Sequence, residues 1–147
     1  MAPRIRRPLL AQLALWAGGL AVLATGADHL EEYTVNQFST VPTIGTLFLL
    51  NFIAATVVGV GLLLPLERLA GRFADPLRAT LALSGIGIAA SSLVGLLISE
   101  QASLFGFADH GYRPAIVAAI VAEVSAIVTL TLHLALTRPA WRLRSAP

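Results

Sequence analysis

The chain has 147 residues, of which 56% are hydrophobic and 12% are charged. A soluble domain carries about 25% charged residues, so this composition excludes an ordinary soluble protein and indicates an integral membrane protein of one domain, residues 1–147. The absence of Cys excludes thiol–disulfide chemistry, Cys-ligated zinc and iron–sulfur clusters. The net charge is +2, and the positive charges are Arg residues that lie mainly on one side of the predicted membrane.

Four apolar segments are each long enough to cross a bilayer as a helix, which takes about 20 residues. In chain order they are residues 8–27, 44–64, 79–98 and 115–136. Pro8 opens the first, and Pro42 and Pro114 precede the second and fourth, where a missing N–H does no harm. The sequence therefore predicts an all-α fold, a polytopic membrane protein with a four-helix transmembrane bundle.

The first segment has a second interpretation, as a secretory signal peptide. Residues 1–27 combine an Arg-rich start, an apolar core and small residues at 25–27. The apolar run is about 20 residues long, however, and the hydrophobic part of a signal peptide has about 7–15. We therefore expect a transmembrane helix.

Arg residues are distributed unequally between the two sides of the predicted membrane. Nine of the ten lie before the first helix, between the second and third, or after the fourth. The opposite side carries Arg113 and five acidic residues, Asp28, Glu31, Glu32, Glu100 and Asp109. Because positive residues mark the cytoplasmic side, we expect a multi-pass plasma-membrane protein with both termini in the cytoplasm.

The two halves of the chain resemble each other weakly. The first predicted helix ends in Gly-Ala-Asp-His at 26–29, and the third in Gly-Phe-Ala-Asp-His at 106–110. In each half a Pro then precedes the next helix and a polar residue follows nine positions later, Asn51 in one half and Glu123 in the other. The pattern predicts two tandem helical hairpins, with chance similarity as the alternative.

The clearest functional candidate is Glu123, a carboxylate in the middle of the fourth apolar segment. A charge at the bilayer centre costs roughly 2.5–3.5 kcal/mol, and such residues are functional candidates by default. At a rise of about 1.5 Å per residue, Asn51, Ser91 and Ser92 lie near the depth of Glu123, and Gly19 marks that level on the first helix.

This polar layer of Glu123, Asn51, Ser91 and Ser92 is expected to bind or transport a small ligand or a proton from the outer face. The alternative is structural. A carboxyl group removed from water favours its neutral form, and a neutral Glu123 hydrogen-bonded to Asn51 or to the serines would hold the bundle together.

A second cluster is expected at the outer ends of the first and third helices, where His29 and His110 lie among acidic residues. If the first helix continues beyond the membrane, His29 and Glu32 share one face. Imidazole and carboxylate suit zinc or another divalent metal, so the candidate ligands are His29, His110, Glu32 and Asp109. The alternatives are a solvated acidic rim and a proton relay. The position of both His residues at the membrane edge disfavours haem.

Part of this pattern matches a known family. His29 is followed by Tyr33, the run 41–51 leads into Asn51, and Leu-Phe-Gly-Phe at 104–107 precedes Ala-Glu at 122–123. In these residues the chain resembles a family of four-helix membrane proteins of actinobacteria. The resemblance spans most of the chain and implies a four-helix plasma-membrane protein without an assigned activity.

The main functional alternative is a non-catalytic accessory subunit. Stripes of small residues let transmembrane helices approach closely, and Gly87, Ser91 and Gly95 form one on the third helix. Such stripes build the bundle, or they dock a second copy or a larger membrane complex. No nucleophile–base pair, phosphate-binding loop or strong metal motif favours an enzyme. The lipid bilayer is the predicted partner, and nucleic acid is not.

Overall fold

The computed structural model describes residues 8–102 and 114–137, and within these ranges the chain forms helices and no strand. The helices are α1 (Leu9–Thr34), α2 (Ile44–Leu63), the single turn α3 (Leu66–Leu69), α4 (Ala74–Gln101) and α5 (Pro114–Thr137). Four of them, α1, α2, α4 and α5, are long and apolar enough to cross a membrane. The prediction of an all-α, four-helix membrane bundle is confirmed.

Helix α1 extends well beyond the predicted end at residue 27 and continues through Thr34. No Gly or Pro interrupts residues 28–34, and the polar side chains in this stretch bond to the helix itself or face its neighbours. The helix ends where the N–H groups of Val35 and Asn36 both donate to the carbonyl oxygen of Glu31. Gln37 then takes a left-handed backbone conformation with φ of 60°.

The bundle is organised around α1, which packs most extensively against α2 and α5, while α4 closes the opposite side against α5 and α2. The core contains aliphatic side chains from all four long helices, among them Val22, Leu62, Ala82 and Leu130. The outward surface is also apolar, with Leu20, Val57 and Val121 more than half exposed. An apolar exterior of this kind suits contact with lipid.

Leu130 of α5 is wedged between two glycines, Gly18 of α1 and Gly85 of α4. A Cβ atom added to Gly85 would lie 2.8 Å from Leu130 Cδ1 and 3.1 Å from Val22 Cγ2. Gly87, two residues further along α4, faces open space and is exposed. The predicted stripe on this helix therefore lies partly on the outer surface, and the buried small residues are Ala82, Gly85 and Ala89.

At the end of the bundle where α2 leads into α4, Arg78 is buried although its position suggested a solvated loop. Its Nη2 atom lies 3.0 Å from a carboxylate oxygen of Glu67, and Nη1 lies 3.7 Å from Asp75. Glu67 belongs to α3, so the ion pair ties this single turn to the start of α4. A buried charge needs such a counter-ion because its desolvation is otherwise not compensated.

Gly85→Ala and Gly87→Ala form a matched pair that tests this packing. Both substitutions raise helix propensity by about 1 kcal/mol, so the contacts of the new methyl group make the difference. We expect Gly85→Ala to lower the free energy of unfolding by about 1–3 kcal/mol relative to Gly87→Ala, because the added carbon crowds Leu130 and Val22. Unfolding of the purified protein in detergent measures this, and equal stability of the two variants would contradict the wedge.

Candidate functional site

A cavity of about 280 Å³ lies among the four long helices. Its walls come from the second halves of α1 and α4, from the first halves of α2 and α5, and from the turn at Phe38–Thr40. All four residues of the predicted polar layer line it: Glu123, Asn51, Ser91 and Ser92. The cavity thus lies toward the end of the bundle where α1 and α4 finish, opposite the Arg78–Glu67 ion pair.

Glu123 is the most deeply buried polar group of this cavity, with 1% of its surface exposed. Ala119 and Ala126, on the same face of α5, are also buried, so neighbouring helices approach closely around the carboxyl group. Within residues 8–102 and 114–137, the Oε2 atom of Glu123 has no hydrogen-bond partner. A buried polar atom without a partner is costly, and here it borders an open space.

His29 of α1 is fixed by two hydrogen bonds. Its Nδ1 atom lies 2.9 Å from the carbonyl oxygen of Thr25, and since a carbonyl only accepts, Nδ1 carries the hydrogen. In the neutral ring Nε2 is then an acceptor, and the Ser92 hydroxyl, 3.0 Å away on α4, donates to it. The edge-to-face contact with Phe48 at 5.2 Å holds the ring from the side of α2.

Ser92, which bonds to His29, also lies near the buried carboxyl group of Glu123. A hydroxyl donates one hydrogen and accepts others, so this chain of three groups has two consistent settings. Either a protonated Glu123 donates to Ser92, which donates to His29, or a protonated His29 donates to Ser92, which donates to ionised Glu123. The arrangement is suited to passing a proton between the two ends.

The other members of the predicted layer do not bond to Glu123 in the described part of the chain. The Ser91 hydroxyl donates to the Ile88 carbonyl of its own helix at 3.0 Å and is exposed. The Oδ1 atom of Asn51 is buried and has no partner among the described residues. A structural role for Glu123 predicted contacts with Asn51, Ser91 or Ser92. In the described part of the chain, only Ser92 of these three interacts with the carboxyl group.

The expected position of the layer on α1 is wrong. Gly19 packs against Leu62 and Leu63 of α2, whereas Asp28 and His29, roughly two and a half to three turns further along α1, line the cavity. The error follows from the length of the helix. Depth was counted inward from an end at residue 27, but α1 continues through Thr34.

Because α1 is longer than predicted, the polar layer around Glu123 and the cluster around His29 belong to one site, although the sequence pattern placed them apart. Asp28, His29 and Glu32 line the same cavity as Glu123 and do not form a separate solvated rim. The sequence spacing indicates this shared face, because Thr25, Asp28, His29 and Glu32 follow the i, i+3, i+4, i+7 pattern of one side of a helix. Phe38, Phe48 and Ser99 also line the cavity.

The predicted metal site is only partly within the described residues. His29 and Glu32 line the cavity, while His110 and Asp109 lie outside the described residues. Within residues 8–102 and 114–137, no three side chains of His, Asp or Glu come together in a way that could hold a metal ion. His133 lies toward the opposite end of α5, where its Nδ1 donates to the Ala11 carbonyl oxygen at 2.8 Å. The metal site stays a prediction.

The segment between α1 and α2 borders the cavity through Phe38. The Phe38 ring packs edge-on against Phe48 at 5.3 Å, and Phe48 in turn contacts His29. Gly45, at the start of α2, lies directly against the Phe38 carbonyl oxygen, and a Cβ atom there would overlap it. This close approach requires glycine and fixes the Phe38 turn against the end of α2.

No family model matches the chain, and neither a curated protein nor a solved structure was found to be similar to it. The resemblance to the actinobacterial membrane family therefore stays a prediction. The function is therefore inferred from the cavity and from the side chains that line it.

Ser92→Ala and Ser91→Ala test the hydrogen bond that positions His29. Ser92→Ala removes the donor to Nε2, so we expect the free energy of unfolding to fall by about 1 kcal/mol. Ser91→Ala removes only a bond within its own helix, and its effect should be less than half as large. The same substitutions in a His29→Ala background complete the comparison, because the effect of Ser92→Ala should largely disappear there. Equal effects of the two serines would contradict the proposed geometry.

Proposed function

We propose that this protein is a multi-pass plasma-membrane protein that binds a small ligand or a proton at Glu123, reached from the outer face. The observation that carries the proposal is the buried Glu123 carboxyl group, one oxygen of which has no partner in the described ranges and borders a cavity of about 280 Å³. The proposal covers binding, and transport would follow if the same site were also reached from the cytoplasm.

A purely structural role accounts less well for this arrangement. Buried polar groups are nearly always hydrogen-bonded, and a carboxyl group that only joined helices would be expected to bond protein partners through both oxygens. In the described part of the chain, Glu123 Oε2 and Asn51 Oδ1 are instead left without partners at the same cavity. Its volume is far above the roughly 30 Å³ of one water molecule, so a ligand as well as water fits.

The outer face is proposed from the distribution of charge. The cavity lies opposite the end at which α2 leads into α4, where Arg68 and Arg72 lie in the connection and Arg78 in the first turns of α4. Arg-rich connections remain in the cytoplasm, so the cavity half of the bundle would face outward and both termini would be cytoplasmic. Under this orientation the acidic side chains at the end of α1 stand on the route to Glu123.

Because the chain has no Cys, single-Cys variants allow a direct test of access. Ala119 lines the cavity next to Glu123, whereas Ala126 is completely buried in the core of the same helix. We expect Ala119→Cys to react with a membrane-impermeant, cationic methanethiosulfonate reagent applied from outside to intact cells. Ala126→Cys should react at least tenfold more slowly, since Ala126 is fully buried among the core side chains.

Unfolding in sodium dodecyl sulfate gives the control for total reactive thiol in both variants. If Ala119→Cys reacts only after unfolding, the cavity is sealed and the binding proposal is wrong. If it reacts only when the reagent is applied from the cytoplasmic side, the proposed orientation is wrong.

A further inference from the structure

Among the described residues, the ionisable side chains that line the cavity are three carboxyl groups and the imidazole of His29. Carboxyl groups enter it from α1 and α5, namely Asp28, Glu32 and Glu123, and no Lys or Arg of the described residues lines it. Asp28 is close enough to interact electrostatically with Glu123. From α2 and α4 the cavity receives only neutral polar groups, Asn51 and three serines. Such a site repels anions and raises the local concentration of cations.

Two buried acceptor atoms at the cavity lack a hydrogen-bond partner within the described ranges. Glu123 Oε2 and Asn51 Oδ1 are both buried, both belong to residues that line the cavity, and neither has a hydrogen-bond partner within the described ranges. The matching occupant brings hydrogen-bond donors. An ammonium group has three donors and no acceptor, and it also carries the charge that a carboxylate requires.

The rest of the lining is apolar and includes two aromatic rings. Phe38 and Phe48 pack edge-to-face at 5.3 Å, and Leu47, Leu96 and Ile116 complete the apolar side. Aromatic rings attract cations through their negative faces, and aliphatic walls bury hydrocarbon. A bare metal ion would use neither feature. The volume of about 280 Å³ lies below the roughly 300–1,000 Å³ of pockets for drug-sized ligands, which indicates a smaller molecule.

We propose that the ligand of this cavity is a small organic amine in its protonated form, with the ammonium group at Glu123 and Asn51 and its hydrocarbon part against Phe38 and Phe48. This assignment rests on the proposed binding function of the cavity and specifies its ligand class. The occupant supplies hydrogen-bond donors to Glu123 Oε2 and Asn51 Oδ1, which have no partner within the described ranges, and places a positive charge beside the carboxyl group.

Three compounds with the same aromatic ring and different head groups test the assignment. They are 2-phenylethylamine, 2-phenylethanol and 3-phenylpropionate, added to the purified full-length protein in detergent while thermal unfolding and calorimetric binding are followed. We expect the amine to raise the unfolding temperature and to bind at least tenfold more tightly than the alcohol. The carboxylate compound should not bind.

Two variants with the same change of charge identify the group responsible. Glu123→Gln removes the carboxylate in the cavity, whereas Glu31→Gln removes an exposed carboxylate on α1. The preference for the amine over the alcohol should fall at least tenfold in Glu123→Gln and stay unchanged in Glu31→Gln. Because Glu123→Gln could fail to fold, Asn51→Leu serves as a second variant, and it should weaken amine binding several-fold by removing an acceptor.

Each contrary result has a definite meaning. If Ala119→Cys is accessible but the amine and the alcohol bind equally, the cavity binds ligands and the amine assignment is wrong. If zinc alone stabilises the protein and the amine does not, the assignment is wrong in favour of the metal site predicted from His29 and Glu32. If Ala119→Cys is sealed and none of the compounds binds, both proposals fail.

Discussion

The burial of the Glu123 carboxyl group is the constraint on which the arrangement of the cavity-containing half of the bundle depends. A carboxyl group in the hydrocarbon region has no water to bond with, so the protein has to supply its surroundings. The chain does this with small residues on the same face of α5, a serine on α4 and polar groups at the end of α1. Within the described ranges these groups leave Glu123 Oε2 without a hydrogen-bond partner, and a cavity lies beside the carboxyl group.

The length of α1 determines which polar groups reach that cavity. Had the helix ended at residue 27, Asp28, His29 and Glu32 would belong to a solvated connection. As a continuous helix through Thr34, α1 presents His29 and Glu32 on a buried face, each with 7% of its surface exposed. The hydrogen bond from Ser92 to His29 then joins α1 to α4, two helices that otherwise touch only slightly.

The four spanning helices were predictable because long apolar runs with Pro at their starts have few other physical solutions in a membrane. The residues that helical rise places at one depth, Asn51, Ser91, Ser92 and Glu123, all line one cavity. Helical rise failed for α1, because hydrophobicity marks where a helix leaves the membrane and not where the helix ends.

Contacts between individual side chains of different helices could not be predicted from the sequence, since they depend on how each helix is rotated about its axis. The edge-to-face stack of Phe38, Phe48 and His29 and the choice of Ser92 over Ser91 as the partner of His29 are of this kind.

The two ends of the bundle differ in whether a buried ionisable side chain has a counter-ion from the described chain. This difference favours a ligand at Glu123. At one end, Arg78 is buried but lies 3.0 Å from the carboxylate of Glu67, so its counter-ion belongs to the chain. At the other end, Glu123 is more deeply buried and forms no ion pair with a described residue. A buried charge without a counter-ion is strongly destabilising unless it is neutralised. A proton or a cation can neutralise Glu123, and the cavity beside it provides the space for a cation.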